Sequence, residues 1–328
     1  MFGIKLYDTN IRFMHYQKLW MWMSLIITLF CLVGIGIKGF NFGIDFTGGL
    51  AVEVAYQNPV ELEPIRTALA HNGFEQAVVQ HFGSTHDVMI RAAAQAGVSA
   101  QALTEKMVSV IAISDNPSSI KRTEFVGPQV GDELASDGVM ALLAAFIIIT
   151  MYVALRYEVR FSLGAILGVL HDATIVAGLF AWFGWLVDLS VLAALLAVIG
   201  YSINDTIVVF DRVRENFRTQ RGYSPAQVMD SALNQTLSRT TMTSFVTLLV
   251  VIVLFFTGGE ALHLFSLAMI IGIVAGTYSS IYIASSLALG LGITQEDLVR
   301  KDKGKDKKAV EEDLKADFLK KEQARGLA

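Results

Sequence analysis

Six stretches of this chain are apolar for about the 20 residues a helix needs to cross hydrocarbon. They lie near Leu19–Ile37, Leu134–Leu155, Phe161–Phe183, Leu189–Phe210, Met242–Phe256 and Leu262–Leu291. In lipid every backbone N–H and C=O must be bonded within the protein, which leaves helices and closed barrels. Runs this long predict helices, so the chain reads as an α-helical membrane protein with six transmembrane helices. The fifth run is the shortest and most polar, and its helix is predicted to begin earlier, near Ser238. The sixth is long enough to tilt or to run past the interface. Charged residues are 17% of the chain, against about 25% in soluble domains. A net charge of −4 is too small to point to nucleic acid.

The first run exceeds the usual core of a signal peptide, and no small-residue cleavage site follows it cleanly. It reads as a retained helix and signal anchor. Cys31, the single cysteine, lies within it and reads as a small core residue.

Lys and Arg set the orientation. Lys5, Arg12 and Lys18 precede the first span. Arg156 and Arg160 lie between the second and third, and Arg212, Arg214, Arg218 and Arg221 between the fourth and fifth. Ten basic residues, Arg300, Lys301, Lys303 and Lys305 among them, follow the sixth. The loops Gly184–Asp188 and Thr257–Ala261 carry none. Both termini are therefore expected in the cytoplasm. Trp182 and Trp185 are expected in an outer aromatic belt, Trp20 and Trp22 in an inner one.

The predicted organisation is a cytoplasmic N-terminus at 1–18, a first span at 19–37, an outer domain at 39–133, and spans two to six within 134–291. An amphipathic cytoplasmic elbow is expected at 211–237, with a short helix opened by Ser224-Pro225 and lying on the membrane surface. A charged tail, 292–328, reads as solvated chain, with lipid or ribosome docking of its lysines as the alternative. In the outer domain, Leu50–Tyr56 alternates as a strand and Pro59–Asn72 reads as a helix. Gln76–Phe82 and Asp87–Ala92 form a hairpin, Ser99–Ile113 a second helix and Ser119–Val126 a last strand. That β-α-β-β-α-β order is the split βαβ, ferredoxin-like, α+β arrangement.

No cysteine cluster, HExxH or P-loop sequence is present, so neither ATP hydrolysis nor metallohydrolase chemistry has a motif behind it. Gly48-Gly49 and Gly258-Gly259 stand at the ends of apolar runs, where they read as turns. The feature that asks for a function is Asp205. It lies inside the fourth apolar run, where a carboxylate costs about 2.5–3.5 kcal/mol on insertion scales. Asn204, Ser202 and Thr206 stand beside it, and Tyr201, Asn204 and Asp205 are expected on one face. On the fifth helix Arg239, Thr243 and Thr247 form one row, and Thr240, Ser244 and Thr247 another. Gly272 and Gly276 make a small-xxx-small packing face on the sixth helix, followed by Thr277, Ser279 and Ser280. Two readings of Asp205 stand: static glue between helices, or a protonatable group whose affinity changes as Arg239 approaches and recedes. His171-Asp172, within the third span, belongs to the same polar interior or is a structural hydrogen-bonded pair. Asp211-Arg212 and Arg214-Glu215 read as interfacial charges.

Several of these residues lie in longer motifs. Phe42-Gly43-Ile44-Asp45-Phe46-Thr47-Gly48-Gly49, Val126-Gly127-Pro128-Gln129-Val130-Gly131, the run from Gly200 to Asn216, Ser238-Arg239-Thr240-Thr241 and Gly276-Thr277-Tyr278-Ser279-Ser280 occur in order. Together they resemble the SecF side of the SecD/SecF family, in the resistance-nodulation-division (RND) superfamily, over nearly all of residues 1–292. The resemblance implies an RND-type half bundle and a non-enzymatic accessory subunit of the bacterial Sec translocon in the inner membrane. It implies a heterodimer with SecD, the SecYEG translocon, YajC and YidC as partners, and an unfolded preprotein as substrate. The proton motive force would drive late translocation and release on the periplasmic side. It places Asp205 on the ion-pathway carboxylate and Arg239 on its partner. It implies no cofactor; H⁺ is the favoured coupling ion, with Na⁺ the alternative that the nearby hydroxyls suit. Two other functions compete: a half-size RND-type ion-coupled small-molecule exporter, and a structural scaffold in which the carboxylate is inert.

Overall fold

The computed structural model describes residues 10–95, 98–113, 115–220 and 222–293. The charged tail expected from 292 onward, apart from its first two residues, lies outside them, as do Lys5 and Arg221. A 3-10 turn, Phe13–Tyr16, leads into α1 (Gln17–Lys38), then β1 (Asn41–Phe42) and α2 (Ile44–Thr47). An α/β domain follows: β2 (Gly49–Tyr56), α3 (Leu62–His71), β3 (Val78–Phe82), β4 (Ser84–Ala92), α4 (Ala100–Ile111) and β5 (Ser118–Val126). The chain continues with α5 (Pro128–Arg156), α6 (Val159–Phe183), β6 (Leu186–Val187), α7 (Leu189–Thr219), α8 (Pro225–Thr257) and α9 (Glu260–Tyr278). A π-helical stretch, Ser279–Ala284, and α10 (Ser285–Gly290) complete the described part. Six helical segments among the described residues are long and apolar enough to cross a membrane.

The α/β domain has the predicted β-α-β-β-α-β element order, with its strands arranged β3-β4-β2-β5 and every neighbour antiparallel. The period-2 pattern explains the packing. Leu50, Val52, Val54 and Tyr56 of β2, with Val88 and Ile90 of β4, face one way. They bury against Ile65 and Leu69 of α3 and Leu103, Met107 and Ile111 of α4. Each such side chain contributes about 1.5–3 kcal/mol. The Tyr56 hydroxyl donates to the Ile111 carbonyl at 3.0 Å, and burial pushes its pKa up to about 12, so it stays a neutral donor.

The domain is tied to the bundle by glycines. Gly48 (φ 65°) and Gly49 (φ 135°) adopt backbone conformations that other residues rarely take. A Cβ on Gly49 would lie 2.4 Å from the Ala92 carbonyl oxygen, and one on Gly131 would lie 2.5 Å from the Gly48 nitrogen. The Phe42–Gly49 and Val126–Gly131 motifs are thus locked together where the chain enters and leaves the domain. β1 pairs in parallel with β6. Asp45 Oδ2 accepts from Leu189 N–H at 3.1 Å, and Asp188 Oδ1 caps α7 by accepting from Val191 N–H at 2.9 Å. Arg91 donates to the Phe42 carbonyl (3.0 Å) and Asn41 Oδ1 (3.1 Å).

At the opposite end the elbow expectation needs correcting. α7 has 31 residues and α8 has 33. At 1.5 Å per residue these are about 46–50 Å long, well beyond a hydrocarbon core of about 30 Å. Residues 211–219 and 225–237 are the projecting ends of two continuous helices, with no separate surface helix between them among the described residues. Arg212 Nε and Asn216 Nδ2 both donate to Gln235 Oε1, at 2.6 and 2.9 Å, clamping the hairpin. Ser224 and Gln227 form a capping box with Pro225 in the first turn, and nothing from Ala226 to Thr257 is a Gly or Pro that would break the helix. Hydropathy marked where lipid begins on α8, which is several turns after the helix begins. Cys31 is fully buried and fills the notch above Gly178, where a Cβ would meet it at 2.2 Å.

Candidate functional site

Among the described residues two carboxylates are buried in the bundle, Asp205 (3% exposed) on α7 and Asp172 (0%) on α6. Close helix contacts put their partners in reach. A Cβ on Gly272 would lie 2.1 Å from Val198 Cγ2, and one on Gly276 would lie 3.1 Å from Ser202 Cβ. α9 therefore presses backbone to side chain against α7 along the small-residue face.

Asp205 faces α8. Its Oδ2 is 3.4 Å from Ser244 Oγ, which lies 2.7 Å from Thr277 Oγ1 on α9 and 3.3 Å from the Tyr201 hydroxyl. Thr277 Oγ1 is also 2.8 Å from the Ile273 carbonyl. Each hydroxyl has one proton to donate, and the count permits two arrangements. In one, Thr277 donates to Ser244 and Ser244 donates to an ionised Asp205. In the other, a protonated Asp205 donates to Ser244, Ser244 to Thr277, and Thr277 to the Ile273 carbonyl. The same atoms serve both charge states: one proton added to Asp205, with rotation of the two hydroxyls, converts the first arrangement into the second. As an anion Asp205 has only this one long hydrogen bond among the described residues.

Asp172 is more fully bonded. Its Oδ2 accepts from Ser202 Oγ of α7 at 2.5 Å and from Ser279 Oγ at 2.7 Å, and Oδ1 is 3.0 Å from His171 Nδ1. Ser279 opens the π-helical stretch, and its hydroxyl is also 3.2 Å from the Gly276 carbonyl. Ser285 Oγ donates to the Ser280 carbonyl five residues earlier, at 3.1 Å, across the widened turn. π-Helical turns inside α-helices are rare and frequent at functional sites. His171 is 7% exposed, and its Nε2 is buried with no hydrogen-bond partner. Beyond it the Tyr278 hydroxyl donates to the Trp20 carbonyl (2.9 Å) and accepts from Ser24 (2.7 Å), fixing α1 to the same centre.

The residues singled out from the sequence divide between these centres. Ser244 meets Asp205, but Ser202 meets Asp172. Thr206 is buried and bonds its own helix at the Ser202 carbonyl, 3.3 Å away. Thr240 Oγ1 is buried without a partner. Two expectations are corrected. Asn204 is exposed on the outer side of α7, because one residue is a 100° turn and carries it away from Asp205. Arg239 is exposed and forms no salt bridge with Asp205 among the described residues; its charge acts on the carboxylate only at longer range. Thr243 and Thr247 spend their hydroxyls on carbonyls of their own helix, at 2.9–3.1 Å, and make no row across helices. Ser24, Tyr278 and the direct role of Ser279 were not anticipated. Tyr278 and Ser279 lie in the Gly276–Ser280 motif, whereas the only sequence signal of Ser24 is a hydroxyl inside an apolar run.

The family description "Protein export membrane protein SecD/SecF, C-terminal" matches residues 106–294, and "SecD/SecF GG Motif" matches residues 33–60. The chain is 46% identical to protein translocase subunit SecF of Vibrio alginolyticus, over 91% of this chain and 95% of that protein. It is 45% identical to SecF of Pseudomonas aeruginosa, over 88% and 94%. Among solved structures, SecDF of Thermus thermophilus, a translocon-associated membrane protein, superposes with a TM-score of 0.79 at 36% identity. That match covers 87% of this chain and 39% of SecDF, so the chain spans about two-fifths of that protein. A SecDF structure in the super-membrane-facing form matches at a TM-score of 0.63 and 35% identity, over 93% of this chain and 40% of that one.

Proposed function

The chain belongs to the SecD/SecF protein-export family, and from that membership we propose that it is a SecF-type translocase subunit that turns an ion gradient into preprotein movement. It pairs with SecD beside SecYEG in the bacterial inner membrane, with its termini in the cytoplasm and its α/β domain on the periplasmic side. The observation that carries the coupling role is the Asp205–Ser244–Thr277 chain, whose hydroxyls serve either charge state of the acid. A lone acid with one long hydrogen bond, in a medium that penalises charge, is suited to take up a proton. Moving that charge through about 100 mV is worth about 2.3 kcal/mol, enough to bias a helix displacement. Pairing with SecD is supported by the exposed stripe of α7. Ala193, Ala197 and Gly200 are small and lead to Asn204, a polar group that lipid alone leaves unsatisfied. The relatives, named as translocase subunits, favour protein export over the small-molecule exporter.

Inverted vesicles carrying the subunit, SecD and SecYEG test the choice of ion. Export is expected to be stimulated by a pH gradient alone and not by a sodium gradient alone. The opposite pattern overturns the proton assignment, and no stimulation by either overturns the coupling.

Arg239 makes no direct contact with Asp205 in this conformation, so its charge is what matters to the acid. Arg239→Lys is expected to keep most of the gradient-dependent stimulation, and Arg239→Gln to lose most of it. Equal loss in both variants would instead require a specific guanidinium contact at another stage of the cycle.

A further inference from the structure

We propose that His171 and Asp172 form a second proton-binding site, coupled to Asp205 through the junction between α9 and the π-helical stretch. The argument starts from hydrogen bonds. With Nδ1 protonated and donating to Asp172 Oδ1, the His171 Nε2 lone pair is buried and unused. Buried polar atoms in native structures nearly always have a partner, so an orphan beside a carboxylate marks a place where a proton arrives. A proton entering at Nε2 gives an imidazolium held by the Asp172 carboxylate, or passes on so that imidazole faces carboxylic acid. Either way the pair gains one proton and goes from net −1 to net zero.

The surroundings stabilise the charged state without fixing it. Ser202 and Ser279 donate to the ionised carboxylate, and such charge-assisted bonds are about twice as strong as neutral ones. When the pair is neutral, Ser279 has a second acceptor already in reach, the Gly276 carbonyl at 3.2 Å. The titratable groups around the pair are few. Tyr278 of α9 faces His171, with ring centroids 6.3 Å apart, and Asp205 follows Ser202 by three residues on α7. α1 reaches the centre through Ser24 and Trp20, which carry no charge.

Coupling follows from the covalent layout of α9. Thr277 serves Asp205 through Ser244, and Ser279, two residues later, serves Asp172. Between them the helix changes from α to π winding. A turn of Ser279 from Asp172 to Gly276 acts on the residue just before Thr277, and so on the hydroxyl chain of Asp205. Along α7, Ser202 and Asp205 are about 4.5 Å apart on the axis. α7 thus carries both a donor to Asp172 and the second acid, Asp205. The part this plays in export rests on the ion-coupled reading above; proton binding by the pair does not.

The test is infrared difference spectroscopy, acid minus alkaline, on the full-length chain purified in detergent. The expected spectrum contains a protonation component that is lost in both Asp172→Asn and His171→Gln and kept in Asp205→Asn. Ser279→Ala keeps the acid but removes a donor to its anion. It is expected to move that component's midpoint to higher pH by about one unit, and it reads the site even if Asp172→Asn fails to accumulate. A spectrum unchanged by Asp172→Asn and His171→Gln, or a midpoint indifferent to Ser279→Ala, overturns the proposal. A component that behaves as expected while export in vesicles ignores the gradient upholds the site and sinks only the ion-coupled reading.

Discussion

Asp205→Asn is expected to abolish gradient-dependent stimulation of export while leaving the subunit folded and paired with SecD. Asparagine has nearly the shape of aspartate, and its amide N–H can donate to Ser244 Oγ, which lies 3.4 Å from the carboxylate in the parent protein. Packing around a side chain that is 3% exposed is therefore kept, and the residue carries no charge to desolvate. What is lost is titration. One charge moved through about 100 mV is worth about 2.3 kcal/mol, about fifty-fold in an equilibrium constant, and a group that never changes charge contributes none of it. Export in energised vesicles should fall to the level seen without a gradient, with co-purification of SecD unchanged. Full stimulation in a correctly assembled Asp205→Asn complex would make the acid static glue.

Asp205 was legible in the sequence because one carboxylate in an apolar run violates a strong rule, and rules of that kind need no tertiary information. The six helices were legible for the same reason. The β-α-β-β-α-β domain followed from two periodicities and from turn residues such as Gly73 and Gly83, both of which sit at positive φ. What escaped was the partition of polar residues between neighbours. Ser202 and Asp205 are three positions apart on α7, close enough along the helix to be read as one cluster. A turn of about 60° separates them, and that is enough to send one towards α6 and the other towards α8. The π-helical stretch left no mark at all. Ser279–Ala284 contains no Gly or Pro, and its widened turn is held by contacts made only in the folded bundle, Ser279 to Asp172 and Ser285 to the Ser280 carbonyl. His171-Asp172 was visible as a pair, but its importance depends on what α7 and α9 bring to it.

Gly272→Ala is expected to destabilise the bundle and to disable both carboxylate centres, and Val198→Ala is expected to restore them in large part. A methyl group on Gly272 would sit 2.1 Å from Val198 Cγ2 and 2.6 Å from Cγ1, closer than real carbon atoms approach. Either α9 moves away from α7 or Val198 is forced from its rotamer, and overpacking of this kind costs about 1–3 kcal/mol. The displacement matters chemically because α9 also carries Thr277 and leads into Ser279. A shift of even half an ångström stretches hydrogen bonds that now stand at 2.7 Å. Val198→Ala removes both γ-carbons and with them the two shortest contacts, leaving only its Cβ at 2.9 Å from the new methyl, so the double variant should recover much, though not all, of the thermal stability and the gradient response. The coupling energy of that cycle isolates the contact from any general weakness of the helix. Gly276→Ala is the contrasting case. Its methyl would lie 3.1 Å from Ser202 Cβ, a fit that needs an adjustment of only tenths of an ångström. It should cost less stability than Gly272→Ala yet still disturb Asp172, because the residue that must give way is Ser202 itself. Failure of Val198→Ala to rescue Gly272→Ala would show that the tight α7–α9 contact is not what positions the two acids.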